Sequence, residues 1–467
     1  MSRTWLLLAV VAAGCAGSAR DVNPRQGTGG STGSRAGGGN GAGGREGAAD
    51  AGSTGVGGGS AGGAAGRGTG GAVTGGAGRS GTGGAGRTGT GGAGGSSAGG
   101  FVHPGLLHAT ADLARMKAKV AAGAQPWTAG WNRLVANAHA ALTWTPRPAA
   151  IVYRGANGTN PENYAQLFND AAAAYALALR WQIAGDSAYA DKGIQVLNAW
   201  SATLTGIDGT SDKFLASGLY GYQLANAAEL LRLYPGWSAA DFARLKTVMR
   251  NIFYAMNHDF LVRHNGACIS HYWANWDLAN MDSMLAIGVL LDDRAIYDEA
   301  VTYFKTGASN GAIGKAVFFV HPGNLGQWQE SGRDQGHNTL GIGLMGAFCE
   351  MAWKQGDDLY GYSNNRFLGG AEYVAQYNLG NDVPYVTYDN CDAVNQTVIS
   401  AASRGDLRPI WELVYNHYVV RRGLAAPNVA AYATRVRPEG GGGDYGPNSG
   451  GFDQLGYGTL TATLDPP

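Results

Sequence analysis

Residues 164–181 read Tyr-Ala-Gln-Leu-Phe-Asn-Asp-Ala-Ala-Ala-Ala-Tyr-Ala-Leu-Ala-Leu-Arg-Trp. Leu167, Ala171, Ala174, Tyr175, Ala178 and Leu179 recur three or four apart, which places them on one stripe of a helix. Gly185-Asp186-Ser187 ends the run with a breaker and supplies capping residues for the next helix. The pattern resumes over Tyr189–Leu204, with Ile194, Leu197 and Trp200, and continues over Tyr220–Tyr234. Ala239–Leu261 carries Phe242, Leu245, Val248, Met249, Ile252, Phe253 and Met256 at the same spacing.

The joints between these runs resemble one another. Gly-Asp-Ser-Ala-Tyr (185–189), Asp-Asp-Arg-Ala-Ile-Tyr (292–297) and Gly-Asp-Asp-Leu-Tyr (356–360) each lead into another helix-like segment. Helix, short polar turn, Tyr and helix again describes stacked helical hairpins. The reading is all-α: an α/α toroid, an incomplete barrel of helical hairpins around a central cavity. A linear helical solenoid is the rival. Irregular intervals and polar loops that need one rim to converge on favour the toroid.

Upstream, the chain is a different material. Residues 1–19 have the form of an export signal: Arg3, then the short apolar core Trp5–Ala13. Ala12-Ala13-Gly14-Cys15 resembles a bacterial lipobox, although Ala12 stands where Leu is usual. Two outcomes are open, lipidation of Cys15 or plain secretion. Both take the protein to the periplasm or the outer-membrane surface of a bacterium. Residues 20–100 read as a disordered tether. The stretch 21–100 holds 36 of the 78 glycines and no Leu, Ile, Met, Phe, Tyr or Trp, so it has almost nothing apolar to bury. Thr-Gly-Gly-Ala-Gly recurs at 74, 82 and 90.

Residues 101–467 then form the folded domain. Removing the eight Arg and three acids of 1–100 leaves 26 basic and 31 acidic residues, net −5, which argues against a nucleic-acid partner. Beyond Cys15, the cysteines are Cys268, Cys349 and Cys391, an odd set in which one pair can bridge. Their spacing matches no zinc motif, and no nucleotide-binding loop, nucleophile elbow or His-Glu-x-x-His is present. No cofactor or metal is expected, and the chain is read as a monomer.

Two motifs concentrate the chemistry. His271-Tyr-Trp-Ala-Asn-Trp-Asp277 and Gln327-Trp-Gln-Glu-Ser-Gly-Arg-Asp-Gln-Gly-His-Asn338 both precede apolar runs. The second packs Gln329, Glu330, Arg333, Asp334 and His337 beside Trp328. Aromatic density beside amides and acids suits saccharides: Tyr272, Trp273, Trp276 and Trp328 can stack on sugar faces. Asn275 and Asn280 can hold a substrate carboxylate. Tyr385 and Tyr388, in a non-helical stretch, can serve as acid or base, and a nearby cation such as Arg333 would ease their ionisation. The glycine-rich stretch 439–454 carries Asp444 and Tyr445 and is expected to fold back over the cavity.

These motifs resemble the alginate lyase family of polysaccharide lyases. His271-Tyr-Trp-Ala-Asn-Trp is similar to its Asn-His-x-Tyr-Trp segment, and the likeness extends over roughly 103–460. It includes His103-Pro-Gly-Leu-Leu and Gly221-Tyr-Gln-x-x-Asn226-Ala-x-Glu229. Ser270 stands where a His falls if Trp273 is aligned, and His337 occupies territory where the family has a Tyr. The resemblance implies an α/α toroid and β-elimination on an acidic polysaccharide of alginate or glucuronan type. On that reading Asn275 and Glu330 hold the carboxylate, and His337 and Tyr388 share the base and acid roles. Tyr385 is held in reserve. Arg333 binds the anionic sugar or lowers a tyrosine pKa, and His271, Trp273, Gln329, Asn280 and Tyr445 bind substrate. Two alternatives are carried. One is an inverting hydrolase using two of Asp277, Asp282, Glu330 and Asp334. The other is a non-catalytic, glycan-binding surface lipoprotein.

Overall fold

The computed structural model describes residues 100–445 and 452–466. The chain divides into Met1–Arg87 and Thr88–Pro467. Residues 1–99, with the export signal, Cys15 and all but the last residue of the tether, lie outside the described residues. Among the described residues no helix is long and apolar enough to cross a membrane.

Fifteen α-helices are described in 100–466. They are α1 (Thr110–Ala121), α2 (Trp127–Ala136), α3 (Tyr164–Ala184), α4 (Ser187–Thr203), α5 (Lys213–Leu231), α6 (Ala239–Val248), α7 (Ala255–Arg263) and α8 (Ala274–Leu290). After them come α9 (Arg294–Thr306), α10 (Ile313–Ala316), α11 (Gln335–Lys354), α12 (Tyr362–Asn378), α13 (Trp411–Tyr415), α14 (Pro427–Val436) and α15 (Gly458–Thr461). The strands are three short pairs: parallel β1 (Ile151–Arg154) with β2 (Gly206–Gly209), antiparallel β3 (Val317–His321) with β4 (Leu325–Trp328), and antiparallel β5 (Tyr388–Asp389) with β6 (Asn395–Gln396).

The helices sort into two layers for a reason visible in their side chains. In α8 every residue is buried, and in α5 all but Lys213 are. These two pack on each other, α8 also packs on α11, and α3 packs on α5, forming an inner wall. The helices between them carry a polar face. In α9, Ile296, Tyr297, Ala300, Val301 and Phe304 make one buried stripe and the rest meets solvent. Alternating buried and amphipathic helices give the toroid of hairpins expected from the sequence, not a linear stack. Close approach of α5 to α8 depends on Gly218, where an added Cβ would lie 2.7 Å from the Ala279 carbonyl carbon and 2.8 Å from the Asn280 nitrogen.

The joints behave as the sequence reading expects. Gly185 ends α3 in the left-handed conformation at φ 80°, and the Asp186 side chain caps α4 by accepting from the Ala188 N–H. Asp293 caps α9 in the same way. The 239–261 run extends to Arg263, joined by a π-helical turn over Met249–Tyr254.

The Gly221–Glu229 motif on α5 has a structural purpose. The Tyr222 hydroxyl donates to the Asp453 carbonyl at 2.9 Å, and the Gln223 amide donates to the Phe452 carbonyl. Asn226 accepts from the Leu107 N–H at 2.9 Å, and Glu229 pairs with His103 at 2.9 Å. One helix thus ties both ends of the domain to the inner wall. The C-terminal stretch is packed inward: Glu439, Phe452, Asp453 and Gln454 are buried.

Candidate active site

Cys268 and Cys391 form a disulfide, and Cys349 is the buried free thiol. The bridge brings the segment before α8 against the β5–β6 hairpin. Two further contacts join the same segments: Cys391 N–H donates to Ser270 Oγ at 2.9 Å, and His271 Nδ1 meets Asp392 at 2.6 Å; the Tyr388 hydroxyl donates to Asn310, in the loop after α9, at 3.1 Å. Asn310 in turn donates to the Tyr272 carbonyl at 2.8 Å. The strand carrying Tyr388 is fixed from the other side by Gln327. Its amide donates to the Val386 carbonyl and accepts from the Val386 N–H, both at 2.8 Å.

The two sequence motifs meet because α8 and α11 are neighbours in the inner wall. Gln329 accepts from the Ala274 N–H at 3.0 Å, and Glu330 accepts from the Asn275 N–H at 2.9 Å. Both acceptors satisfy amides at the open N-terminus of α8, where negative charge is favoured. Glu330 also takes a charge-assisted bond from Arg333 Nη1 at 2.9 Å. With its nitrogen facing Glu330, the Asn275 amide donates to both carboxylate oxygens at 3.3 Å. The Arg333 guanidinium lies 5.3 Å from the Trp273 ring centre, and that ring lies 6.2 Å from the Tyr388 ring. Asp334 completes the chain of contacts: it sits 3.7 Å from Arg333 Nε and accepts from His337 Nδ1 at 2.6 Å.

Exposure separates the groups that can face a ligand from those that hold them. His337, His271 and Arg333 keep 36%, 28% and 26% of their side chains exposed. Trp273 is half-buried. Asn275, Gln329 and Glu330 are buried, and so is Tyr388, at 7% exposed. Gln329 and Glu330 join the two motifs through the α8 amides, and Glu330 holds Arg333. Burial pushes the Glu330 carboxyl above the usual range, against the opposing pull of Arg333 and His337. Asp334 is drawn below its usual range despite burial, because the His337 imidazole binds it.

Other expectations change more. Asn280 is fully buried within the inner wall, donating to the Trp276 carbonyl at 2.9 Å and accepting from Asn257 at 2.7 Å, so it holds helices and not substrate. Trp328 is also fully buried, and Trp276 packs on Tyr272 and Phe260. Tyr385 donates to the Gln396 carbonyl at 2.7 Å. Tyr445 accepts from the Gly440 N–H at 2.8 Å, a bond within its own turn that ties it to the C-terminal stretch and not to the 271–277 or 327–338 motifs. The eased ionisation expected of the tyrosines is reversed. Burial raises the hydroxyl pKa of Tyr388, although the Gln329 and Asn310 amides oppose it, and Tyr385 is pushed up to about 12. A neutral Tyr388 is a proton donor.

Some partners carried no signal in the sequence: Asn310, Asp392 and Asp453; Gln327 opened the second motif without a role. Asp334 lay inside the second motif and had a role only in the hydrolase alternative. The carboxylates of the hydrolase alternative fare poorly. Asp277 is buried and accepts from the Gly311 N–H at 2.9 Å, and Asp282 is sealed in the core with its pKa raised well above the usual range by burial.

The helical toroid and the family it matches place this domain in the class of polysaccharide lyases. The alginate lyase family model matches residues 133–383, more than half of the chain, and the chain belongs to that family. It is a polysaccharide lyase acting on a uronic-acid polymer. Among solved structures, alginate lyase A1-III from Sphingomonas species A1 is similar at 16% identity and a TM-score of 0.53, over 76% of this chain and 95% of that one. A variant of A1-III complexed with a tetrasaccharide matches at 16% identity and a TM-score of 0.52, over 76% of this chain and 95% of that one. An alginate lyase from Bacteroides ovatus matches at 14% identity and a TM-score of 0.52, over 78% of this chain and all of that one. These likenesses confirm the fold. Among curated proteins none matches in sequence.

Proposed function

We propose that the His271–Asp277 and Gln327–Asn338 segments, with Tyr388, perform β-elimination on an alginate- or glucuronan-type polymer. The reaction needs the uronate carboxylate neutralised, the adjacent C–H proton removed and the departing glycosidic oxygen protonated. Arg333 meets the carboxylate, held in place by Glu330, which Asn275 bonds in turn. His337 takes the proton through Nε2. Tyr388, neutral at working pH, donates a proton to the leaving oxygen, and His271 and Trp273 bind the sugar beside it. General acid–base help of this kind contributes about 10²–10⁴-fold, and charge stabilisation at the carboxylate adds a further large share.

The observation that carries this reading is the unbroken chain of contacts from His337 through Asp334, Arg333 and Trp273 to Tyr388. The test is a panel of uronic polymers followed in the ultraviolet, where the unsaturated sugar absorbs, with wild type and His337→Ala. Absorbance from wild type and none from the variant supports the roles. Absorbance of equal rate from both would remove His337 from the reaction. The sequence of 1–100 supports a further proposal: the enzyme is exported and tethered through a lipid on Cys15, acting as a monomer. Failure of labelled fatty acid to incorporate into the full chain, with Cys15→Ser as control, would overturn the anchor.

A further inference from the structure

We propose that Asp334 is the positioning residue of the reaction, fixing the His337 imidazole with Nδ1 protonated and the Nε2 lone pair turned to the substrate. The inference rests on the reading of His337 as the base. Asp334 stands in an extended conformation immediately before α11 and uses its two oxygens differently. Oδ1 accepts from the His337 backbone N–H at 2.8 Å, capping the helix, and Oδ2 accepts from His337 Nδ1 at 2.6 Å. A carboxylate only accepts, so Nδ1 carries a proton, and in the neutral imidazole Nε2 is then the free base nitrogen. Among the described residues nothing bonds to Nε2.

The carboxylate is itself held. Arg333 Nε lies 3.7 Å from Oδ2, and the buried Arg408, which bonds Gly336 and Thr339 on the first turn of α11, adds its charge to the same group. The charged groups set against the imidazole are Asp334, Glu330 and Arg333 on its own segment and Asp453 from the C-terminal stretch. Only Asp334 touches Nδ1. Helix capping alone explains one of its two bonds. The second aims an otherwise rotatable ring.

Asp334→Asn separates the two tasks, because Asn caps a helix as well as Asp does. Its amide can offer Nδ1 a donor, which favours the tautomer with the proton on Nε2. The expected result is a melting temperature and KM close to wild type with kcat lowered about 10²–10⁴-fold, the range in which a misdirected general base falls. The acid limb of the kcat/KM profile should move to lower pH, since the imidazolium loses its adjacent anion. A purely structural role would leave that limb in place. A kcat within about threefold of wild type and an unmoved limb would overturn the proposal. His337→Gln, assayed alongside, distinguishes the failures. An inactive His337→Gln with an active Asp334→Asn sinks the positioning role alone, and an active His337→Gln sinks the base assignment with it. Nitrogen NMR of the full chain labelled at histidine gives a reading independent of turnover: the Nδ1–H tautomer supports the proposal and the Nε2–H tautomer contradicts it.

Discussion

Reducing the Cys268–Cys391 bridge should cost both stability and turnover, and the two costs have separate origins. The cysteines are 123 residues apart in sequence. Closing a loop of that length removes denatured-state entropy worth about 5 kcal/mol in the chain-entropy model, with about 2–4 kcal/mol the usual yield. At roughly 2.1 cal/mol/K per residue, residues 101–467 unfold with an entropy near 0.8 kcal/mol/K, so the melting temperature should fall by about 3–5 °C. The turnover cost is local. Tyr388 sits three residues before Cys391, and His271 three after Cys268. The hairpin between them pairs only Tyr388 with Gln396 and Asp389 with Asn395, too little to hold itself. The Gln327 clamp on Val386 would survive, so Tyr388 should shift and not be lost. A displacement of that order costs about 10–100-fold in kcat. The assay is calorimetry and steady-state kinetics on Cys268→Ser/Cys391→Ser, with chemical reduction of the native enzyme as a check. Cys349 is buried and a spectator. Unchanged melting and unchanged kcat in a chain with verified free thiols would refute the argument that the bridge places Tyr388.

Four more outcomes are expected. Tyr388→Phe should lower kcat at least 10²-fold by removing the donor. Tyr385→Phe, whose hydroxyl is engaged by the Gln396 carbonyl, should change kcat less than about threefold and stability by about 1 kcal/mol; steady-state kinetics and melts on the pair decide it. Asn280→Ala should destabilise by about 1–3 kcal/mol in urea titration, because Asn257 loses its acceptor in the core, and should leave KM unchanged. Burial and the neighbouring Glu412 raise the Glu439 carboxyl to about 8, from 4.5. The folded state then keeps a proton that the unfolded chain releases, so stability should fall as pH rises from about 4.5 through 8, by at most about 1.4 kcal/mol per pH unit. Glu439→Gln should flatten that slope, and thermal melts at several pH values would show it; an identical slope would rule out this residue as the cause.

The helices were legible because their periodicity and joints are local properties. Asp186 and Asp293 announce caps whatever surrounds them. The start of α5 was less so: Phe214–Leu219 is helical and buried with no stripe to reveal it, since neighbours cover every face. The meeting of the two motifs was legible in outline, since both open helices of the inner wall. Which side chains reach the rim was not. Asn275 and Asn280 lie five residues apart on α8, about 140° around the axis, so one meets Glu330 and the other Asn257. Tyr385 and Tyr388 lie three residues apart, yet one hydroxyl meets the Gln396 carbonyl and the other Asn310. Asn310, Gln327 and Asp392 act through contacts across long stretches of sequence, which no local pattern encodes. The direction of the tyrosine shifts is set by burial, a property of the fold.

The claim that this rim eliminates across a uronic glycosidic bond is tested most directly by the products of digestion. Mass spectrometry and ultraviolet absorbance of oligosaccharides released from alginate and glucuronan should show an unsaturated non-reducing end, formed without uptake of water. Saturated products carrying one water per cleavage would contradict the account.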